Sequence, residues 1–409
     1  MNQLSIPDCP DNLQDVPFSF DGSYRDRIGQ QLKKDQPSSE MLYADPVLIR
    51  IPGAPDSTAH YAPDGTRLPA PQDRPILKDG QTPENGRYYA EIGSAHIEAF
   101  LRKGTRDYLY VFLDGARTRN QGRDLAPLPS FLRWSWYQYT SASVLCLEDP
   151  MYYTYGGLKL GWFYGTQDEN YAEFCAMFVR HIADLLGVPL QHIILYGPSA
   201  GGHAAISMSA FIPGCMSATV NGQYDITLHE NYRKGLFSGV TGFSADSPDS
   251  LNRNCSAGII REHPENHYLL ICNILSKQDF DEQLQQLCSK LDIVPQYGLK
   301  TFGHLTFWLI DAKGAPSTHS VWETPTQFRM IDVLLPNLMN GSKAQDFRQY
   351  CEIINHYWKE QFISRSAILE QEKSIRTLSQ TVPARFLTLA GRTARKLIAV
   401  VRSAKKPEQ

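Results

Sequence analysis

Residues 193–206 read IILYGPSAGGHAAI. The opening apolar run is too short for a helix and fits a buried strand. The small-residue stretch that follows, GGHAAISMSAF, fits a helix packed closely against its neighbours. Between them stand Gly197, Pro198, Ser199, Ala200 and Gly201, a turn with small residues on both sides of a hydroxyl. Two readings follow. Either the glycines only ease the passage from strand to helix, or the turn leaves no room for side chains because it presents Ser199 to a substrate.

The surrounding pattern fixes the class of fold. YYAEIGSAHIEAFL reads as a strand pair, DYLYVFLDG as a strand ending in glycine, and SVLCLEDP as a short strand closed by Asp149-Pro150. YAEFCAMFVRHIADLLGV places apolar residues at helical spacing and stops at Gly187, a C-cap. SATVNGQYD and HYLLICNIL read as further strands, and TFWLIDA as the last. Unbroken apolar strands alternating with helices predict an α/β fold with a mostly parallel sheet covered on both faces.

Residues 1–85 are rich in proline and polar residues and predict an irregular N-terminal module with short β pieces such as VLIRI. Residues 86–365 form the expected α/β domain, with 221–264 long enough to be a cap over Ser199. Residues 366–409 form a C-terminal tail. Within it, residues 383–409 hold seven Lys or Arg and one Glu, a net +6 on a chain of net charge −3. Phe386, Leu389, Ala390, Leu397, Val400 and Val401 recur there at near-helical spacing. A basic amphipathic helix of this kind fits an anionic membrane surface or an acidic protein partner; a solvated basic tail is the alternative. The charge gives no reason to expect nucleic acid, because no reading module accompanies it.

The eight cysteines are scattered without CxxC spacing, and several sit in apolar runs, as buried thiols do. The N-terminus has neither the basic nor the apolar region of a secretion signal, and no window approaches the roughly 20 apolar residues of a membrane span. A cytoplasmic protein is expected, peripheral at the inner membrane face if the tail binds there. Oligomeric state is left open.

The stretch around Ser199 resembles the nucleophile elbow of the α/β-hydrolase superfamily: G-x-S-x-G with a strand entering and a helix leaving. The resemblance covers roughly residues 86–340 and implies an α/β-hydrolase-like sheet flanked by helices. It also implies a serine activated by a histidine that a carboxylate orients, in the chain order Ser, acid, His. Asp279, first after the strand HYLLICNIL, resembles the family's acid. Asp281 reads better as the N-cap of the helix DEQLQQLCSKL, and Asp225 is a third candidate. His319, on the loop after TFWLIDA, resembles the family's catalytic histidine; His203 and His304 read as structural.

The family's oxyanion hole takes one backbone N–H from the residue after the nucleophile, here Ala200, and one from an earlier strand's loop. The loop after DYLYVFL offers Ala116 or Arg117, with Asp114-Gly115 where the family often has His-Gly. Arg117, Arg119 and Arg123 on that loop suit an anionic substrate group, or equally solvated charges paired with Asp114 or Asp124. Eleven aromatics between residues 131 and 164, Trp162 among them, suit stacking on a substrate ring or, more commonly, core packing.

The resemblance implies acyl transfer on an ester with no metal and no cofactor. Esterase and O-acyltransferase share the triad, so both stand. A bacterial surface polysaccharide bearing O-acetyl groups is one substrate that a cytoplasmic, membrane-leaning enzyme of this kind would serve. The rival reading is a hydrolase-like assembly factor without catalysis in membrane-associated polysaccharide biosynthesis or export.

Overall fold

The computed structural model describes residues 41–42, 44–58, 75–117, 119–120, 124–125, 128–243, 253–311, 319 and seven positions between 328 and 338. The basic tail and most of the N-terminal module lie outside the described residues. Strands run β1 (Val47–Leu48), β2 (Gly86–Ile92), β3 (Ala95–Arg102), β4 (Arg106–Leu113), β5 (Arg119–Asn120), β6 (Asp124–Leu125), β7 (Ala142–Leu147), β8 (Ile193–Pro198), β9 (Met216–Val220), β10 (His267–Asn273), β11 (Gly298–Phe302) and β12 (Leu305–Ile310). Ten of them form one sheet in the order β1-β2-β3-β7-β4-β8-β9-β10-β12-β11, and β5 pairs with β6 apart from it.

From β7 to β12 every neighbouring pair is parallel, while β2 and β3 form an antiparallel hairpin and β3 meets β7 antiparallel. The parallel run is buried on both faces, so its strands are mostly apolar, with small polar residues such as Ser143, Ser217, Thr219 and Thr306 among them. In β4, Leu109, Val111 and Leu113 enter one core while Tyr110 and Phe112 enter the other. β8 divides the same way: Ile193 and Leu195 face the first core, Ile194 and Tyr196 the second. The sheet is thus the mostly parallel, two-faced one expected.

Helix α1 (Tyr171–Leu186) covers the first face. Asn170 caps its start, its side chain accepting the Ala172 N–H at 3.1 Å, and Gly187 ends it in the left-handed region at φ 68°. α2 (Ala200–Ser209) is wholly buried, and its small residues let it lie close on β8 and β9. On the second face, Phe328, Ile331, Leu334, Leu335 and Leu338 join Tyr110, Phe112 and Tyr196 in the core. The link from β9 to β10 carries α3 (Leu236–Thr241) and α4 (Ser256–Glu262).

Sequence patterning missed one strand of the main sheet and the short β5–β6 pair beside it. β11, GLKTF, pairs antiparallel with β12 at the sheet edge. Only Leu299 of its five residues is buried, so it lacks the apolar run that marks the inner strands. Among the described residues no helix is long and apolar enough to cross a membrane.

Candidate active site

Ser199 stands between β8 and α2 with φ 51° and ψ −120°, a conformation that L residues rarely adopt. The close approach of three segments forces it. A Cβ on Gly197 would lie 2.1 Å from the Gly201 carbonyl oxygen, and one on Gly201 would lie 2.6 Å from the carbonyl of Leu113 on β4. Ser199 N–H donates to Val220 O of β9 at 3.0 Å, so the turn is tied to both neighbouring strands. Ala200 opens α2, and a first-turn N–H has no acceptor within its own helix. It is a ready donor for negative charge, at the positive end of the helix dipole.

The sheet order and the strained strand–serine–helix turn together decide the architecture. The chain has the α/β-hydrolase fold. No family model and no curated protein matches the sequence. Among solved structures it overlaps the capsule O-acetyltransferase of Neisseria meningitidis serogroup A at 14% identity and TM-score 0.42, over 58% of this chain and 91% of that one. It overlaps a 2,6-dihydroxy-pseudo-oxynicotine hydrolase at 15% and 0.42, over 64% and 69%. Porphyromonas gingivalis dipeptidyl peptidase 4 overlaps at 13% and 0.40, over 63% and 36%. The assignment of fold rests on the sheet and the turn, not on these overlaps.

Asp279 and His319 meet across the chain. His319 Nδ1 lies 2.8 and 2.7 Å from the two carboxylate oxygens of Asp279. A carboxylate there holds the proton on Nδ1 and leaves Nε2 as the basic nitrogen. Asp279 is buried and takes a further hydrogen bond of 2.5 Å from Ser276 Oγ. The His319 carbonyl accepts from Asn221 Nδ2 at 2.8 Å. Asn221 follows Val220, the residue that binds the Ser199 N–H, so the His319 carbonyl is tied beside the serine turn.

The other acids are placed elsewhere. Asp281 is exposed and accepts from Gln285 Nε2 at 3.0 Å. It does not cap a helix, because helical turns begin at Lys277 and pass through a π-helical stretch, Phe280–Leu284, into Gln285–Lys290. Sequence reasoning started that helix four residues late. Asp225 pairs with Lys290 Nζ at 2.6 Å and caps the turn at Thr227. Burial would raise its pKa, but the hydrogen bonds from Lys290 and Thr227 outweigh that and hold it below the ordinary value. His203 is buried with Nε2 2.8 Å from Arg253 O, and His304 Nε2 lies 2.9 Å from Ile260 O.

The β4 loop passes beside the serine: a Cβ on Gly115 would lie 3.9 Å from Ser199 Cβ. Arg117 N–H already donates to Lys159 O at 3.0 Å, which leaves the Ala116 N–H as the donor of the two. The Arg117 guanidinium lies over the Tyr152 ring, 5.2 Å from its centre, and the residue is buried. The Arg119 side chain lies outside the described residues.

Most of the aromatic run is core. Phe131, Trp136, Tyr137, Tyr152, Tyr153, Trp162, Phe163 and Tyr164 are all buried. Trp162, 1% exposed, offers no stacking surface to a substrate. Its indole instead reaches the site through Gln223, whose Oε1 accepts the N–H at 2.5 Å and whose Nε2 donates to Ser199 Oγ at 3.2 Å.

Sequence reasoning missed Asn221, Gln223, Ser276 and also His229. The His229 ring meets Trp162 edge to face at 5.6 Å, and its Nδ1 accepts the Asn231 N–H at 3.1 Å. Burial, and next the charge of His319, push its pKa below the ordinary value. The NGQYD motif after β9 was the available signal: three polar residues directly beyond an apolar strand, at the sheet end where the serine emerges.

Proposed function

We propose that this protein is a serine-dependent acyl-transfer enzyme acting on an ester, as an esterase or an O-acyltransferase. The observation that carries the reading is the Asp279–His319 pair, pinned through Asn221 to the strand end that holds the strained Ser199. Ser199 Oγ attacks the acyl carbonyl carbon as its proton passes to His319 Nε2. The carbonyl π electrons move to oxygen, where the Ala200 and Ala116 N–H groups stabilise them. Collapse expels the alcohol, which takes the proton from His319, and leaves an acyl-serine. Water or an acceptor hydroxyl then repeats the steps in reverse. A fluorophosphonate probe tests this. It should label the wild type at Ser199 and leave Ser199→Ala and His319→Ala unlabelled, while both variants melt normally. An unlabelled wild type would favour the non-catalytic assembly factor.

We further propose an O-acetylated or O-acetyl-accepting surface glycan as substrate, handled at a membrane face. The basic tail supports the membrane face. Seven Lys and Arg side chains near an anionic leaflet contribute about 1 kcal/mol each at low salt. Deleting residues 383–409 should abolish sedimentation with anionic liposomes and leave hydrolysis of a soluble ester unchanged. Vesicle binding by the truncated protein would shift the tail's role to an acidic protein partner.

A further inference from the structure

We propose that the Gln223 side-chain amide is a catalytic donor to the nucleophile, and that Trp162 is the residue that sets its direction. This rests on the reading of Ser199 as the nucleophile. Among the described residues, Gln223 Nε2 is the group that hydrogen-bonds Ser199 Oγ, at 3.2 Å. An amide can present either its oxygen or its NH2 to a hydroxyl, and the two choices have opposite consequences. A carbonyl oxygen would accept the hydrogen bond of the serine O–H and compete with His319 for it. An NH2 cannot accept it, so the proton is left for His319 Nε2, and the N–H meets the charge that grows on Oγ as the proton leaves.

Trp162 makes the choice. Indole nitrogen is a donor only, and it lies 2.5 Å from Gln223 Oε1. Turning the amide over would set NH2 against N–H in a site where Gln223 is 2% and Trp162 1% exposed. Neither group would have water to turn to.

The tryptophan is itself held by force. Trp162 and Phe163 have φ of 56° and 54°, two consecutive aromatic residues in the left-handed region. Asp149 keeps the turn there: its Oδ2 accepts the Phe163 N–H at 3.0 Å and its Oδ1 the Met151 N–H at 3.0 Å. A Cβ at position 161 would lie 2.5 Å from Asp149 Oδ2, so Gly161 is what lets the carboxylate in. Strain of this kind persists only where surrounding contacts over-determine it. Here the contacts converge on one indole N–H aimed at one amide.

The placement separates this donor from the oxyanion donors. Sheet order puts β4 on one side of β8 and β9 on the other. The Ala116 N–H approaches from the β4 side, and Gln223 from the β9 side, where its backbone N–H also donates to Ser199 O at 2.9 Å. The backbone groups act on the carbonyl oxygen of the substrate. Gln223 acts on the oxygen of the serine. The amide is unchanged over the cycle.

The test uses the full-length protein and a fluorophosphonate probe, with the maximal inactivation rate separated from probe affinity. Gln223→Leu should lower the rate about 10- to 100-fold, with affinity within about two-fold of wild type. Gln223→Glu, of the same shape, should lose more, because a carboxylate accepts the serine O–H hydrogen bond in competition with His319 and repels the charge growing on Oγ; it serves if the leucine variant does not fold. Trp162→Phe should lose about 3- to 10-fold by freeing the amide to turn. The double variant Trp162→Phe/Gln223→Leu should be no slower than Gln223→Leu alone, since the tryptophan works only through the amide. Folded Gln223→Leu and Gln223→Glu proteins that inactivate at the wild-type rate overturn the donor role. Losses that multiply in the double variant overturn the role given to Trp162. An unlabelled wild type overturns this inference together with the reading of Ser199, whereas a labelled wild type with unaffected variants overturns the inference alone.

Discussion

The two flanks of Ser199 are built from different materials. Toward β4 the turn meets backbone: the Leu113 and Asp114 carbonyls lie where a Cβ on Gly201 would go, and Gly115 passes close by the serine. Toward β9 it meets side chains, with Asn221 holding the His319 carbonyl and Gln223 donating to Ser199 Oγ. A donor made of backbone costs no side-chain entropy but demands small residues close by, whereas a side-chain donor must be fixed by partners of its own. The first kind of flank fails when something is added to it. The second fails when something is removed.

The largest effect expected lies just beyond both flanks, at the acid. Asp279→Asn should lower turnover of a short acyl ester by about 10⁴, because an amide no longer fixes the histidine tautomer. Asp281→Asn and Asp225→Asn should leave turnover near wild type, since one side chain is exposed and the other is bound to Lys290. Steady-state rates on the three variants check this, and a reversed ranking would move the acid to another position.

Next come the flanks themselves. Gly201→Ala adds one methyl against backbone, which can yield only by moving α2 away from β4. That separates the Ala200 and Ala116 N–H groups, and the loss should be on the order of 10²–10³ in kcat, the cost of one oxyanion donor. Asn221→Gly removes the side chain while suiting the backbone at φ 47°. It frees the His319 carbonyl and leaves the Asn273 N–H, now bonded to Asn221 Oδ1 at 2.9 Å, without that acceptor. About 10- to 100-fold is expected, the cost of a slightly misplaced base. If Asn221→Gly costs more than Gly201→Ala, the β9 flank matters more to the chemistry than the oxyanion loop does.

The same contrast explains what could be read from the sequence. Backbone sites leave a local mark: glycines at 197 and 201, an apolar strand before them and a small-residue helix after. The sheet was legible for a related reason, since strands buried on both faces carry unbroken apolar runs, and β11 escaped because it does not. Asp279 and His319 stood out through their places after strands and through resemblance. Gln223 and Asn221 left only a weak local mark, the polar NGQYD after β9, because their roles come from partners 61 and 98 positions away in the chain. The aromatic run was ambiguous in principle: composition is the same for a core and for a platform, and only burial separates them.

The last effect expected falls on stability and not on rate, and it tests how the β9 flank is held. Asp149, which pins the Trp162–Phe163 turn, is buried, and burial pushes its pKa up to about 7 against the backbone hydrogen bonds from Phe163 and Met151, with Glu148 adding to the rise. An unfolded aspartate titrates near about 3.9. Between those values the folded protein binds more protons at this position than the unfolded chain does. Stability must therefore fall as pH rises through that window, the reverse of the usual surface carboxylate. Asp114, also raised by burial, contributes in the same direction. Denaturant midpoints at about pH 5 and about pH 8, on either side of most of that window, should show the wild type weaker at the higher pH. An asparagine side chain cannot ionise, so Asp149→Asn should shrink that difference, whatever its absolute stability, and leave only the part due to Asp114 and other groups. An unchanged difference would mean that Asp149 is ionised throughout. The turn would then be held by a buried charge, and the indole N–H of Trp162 would owe its direction to that charge rather than to a neutral acid.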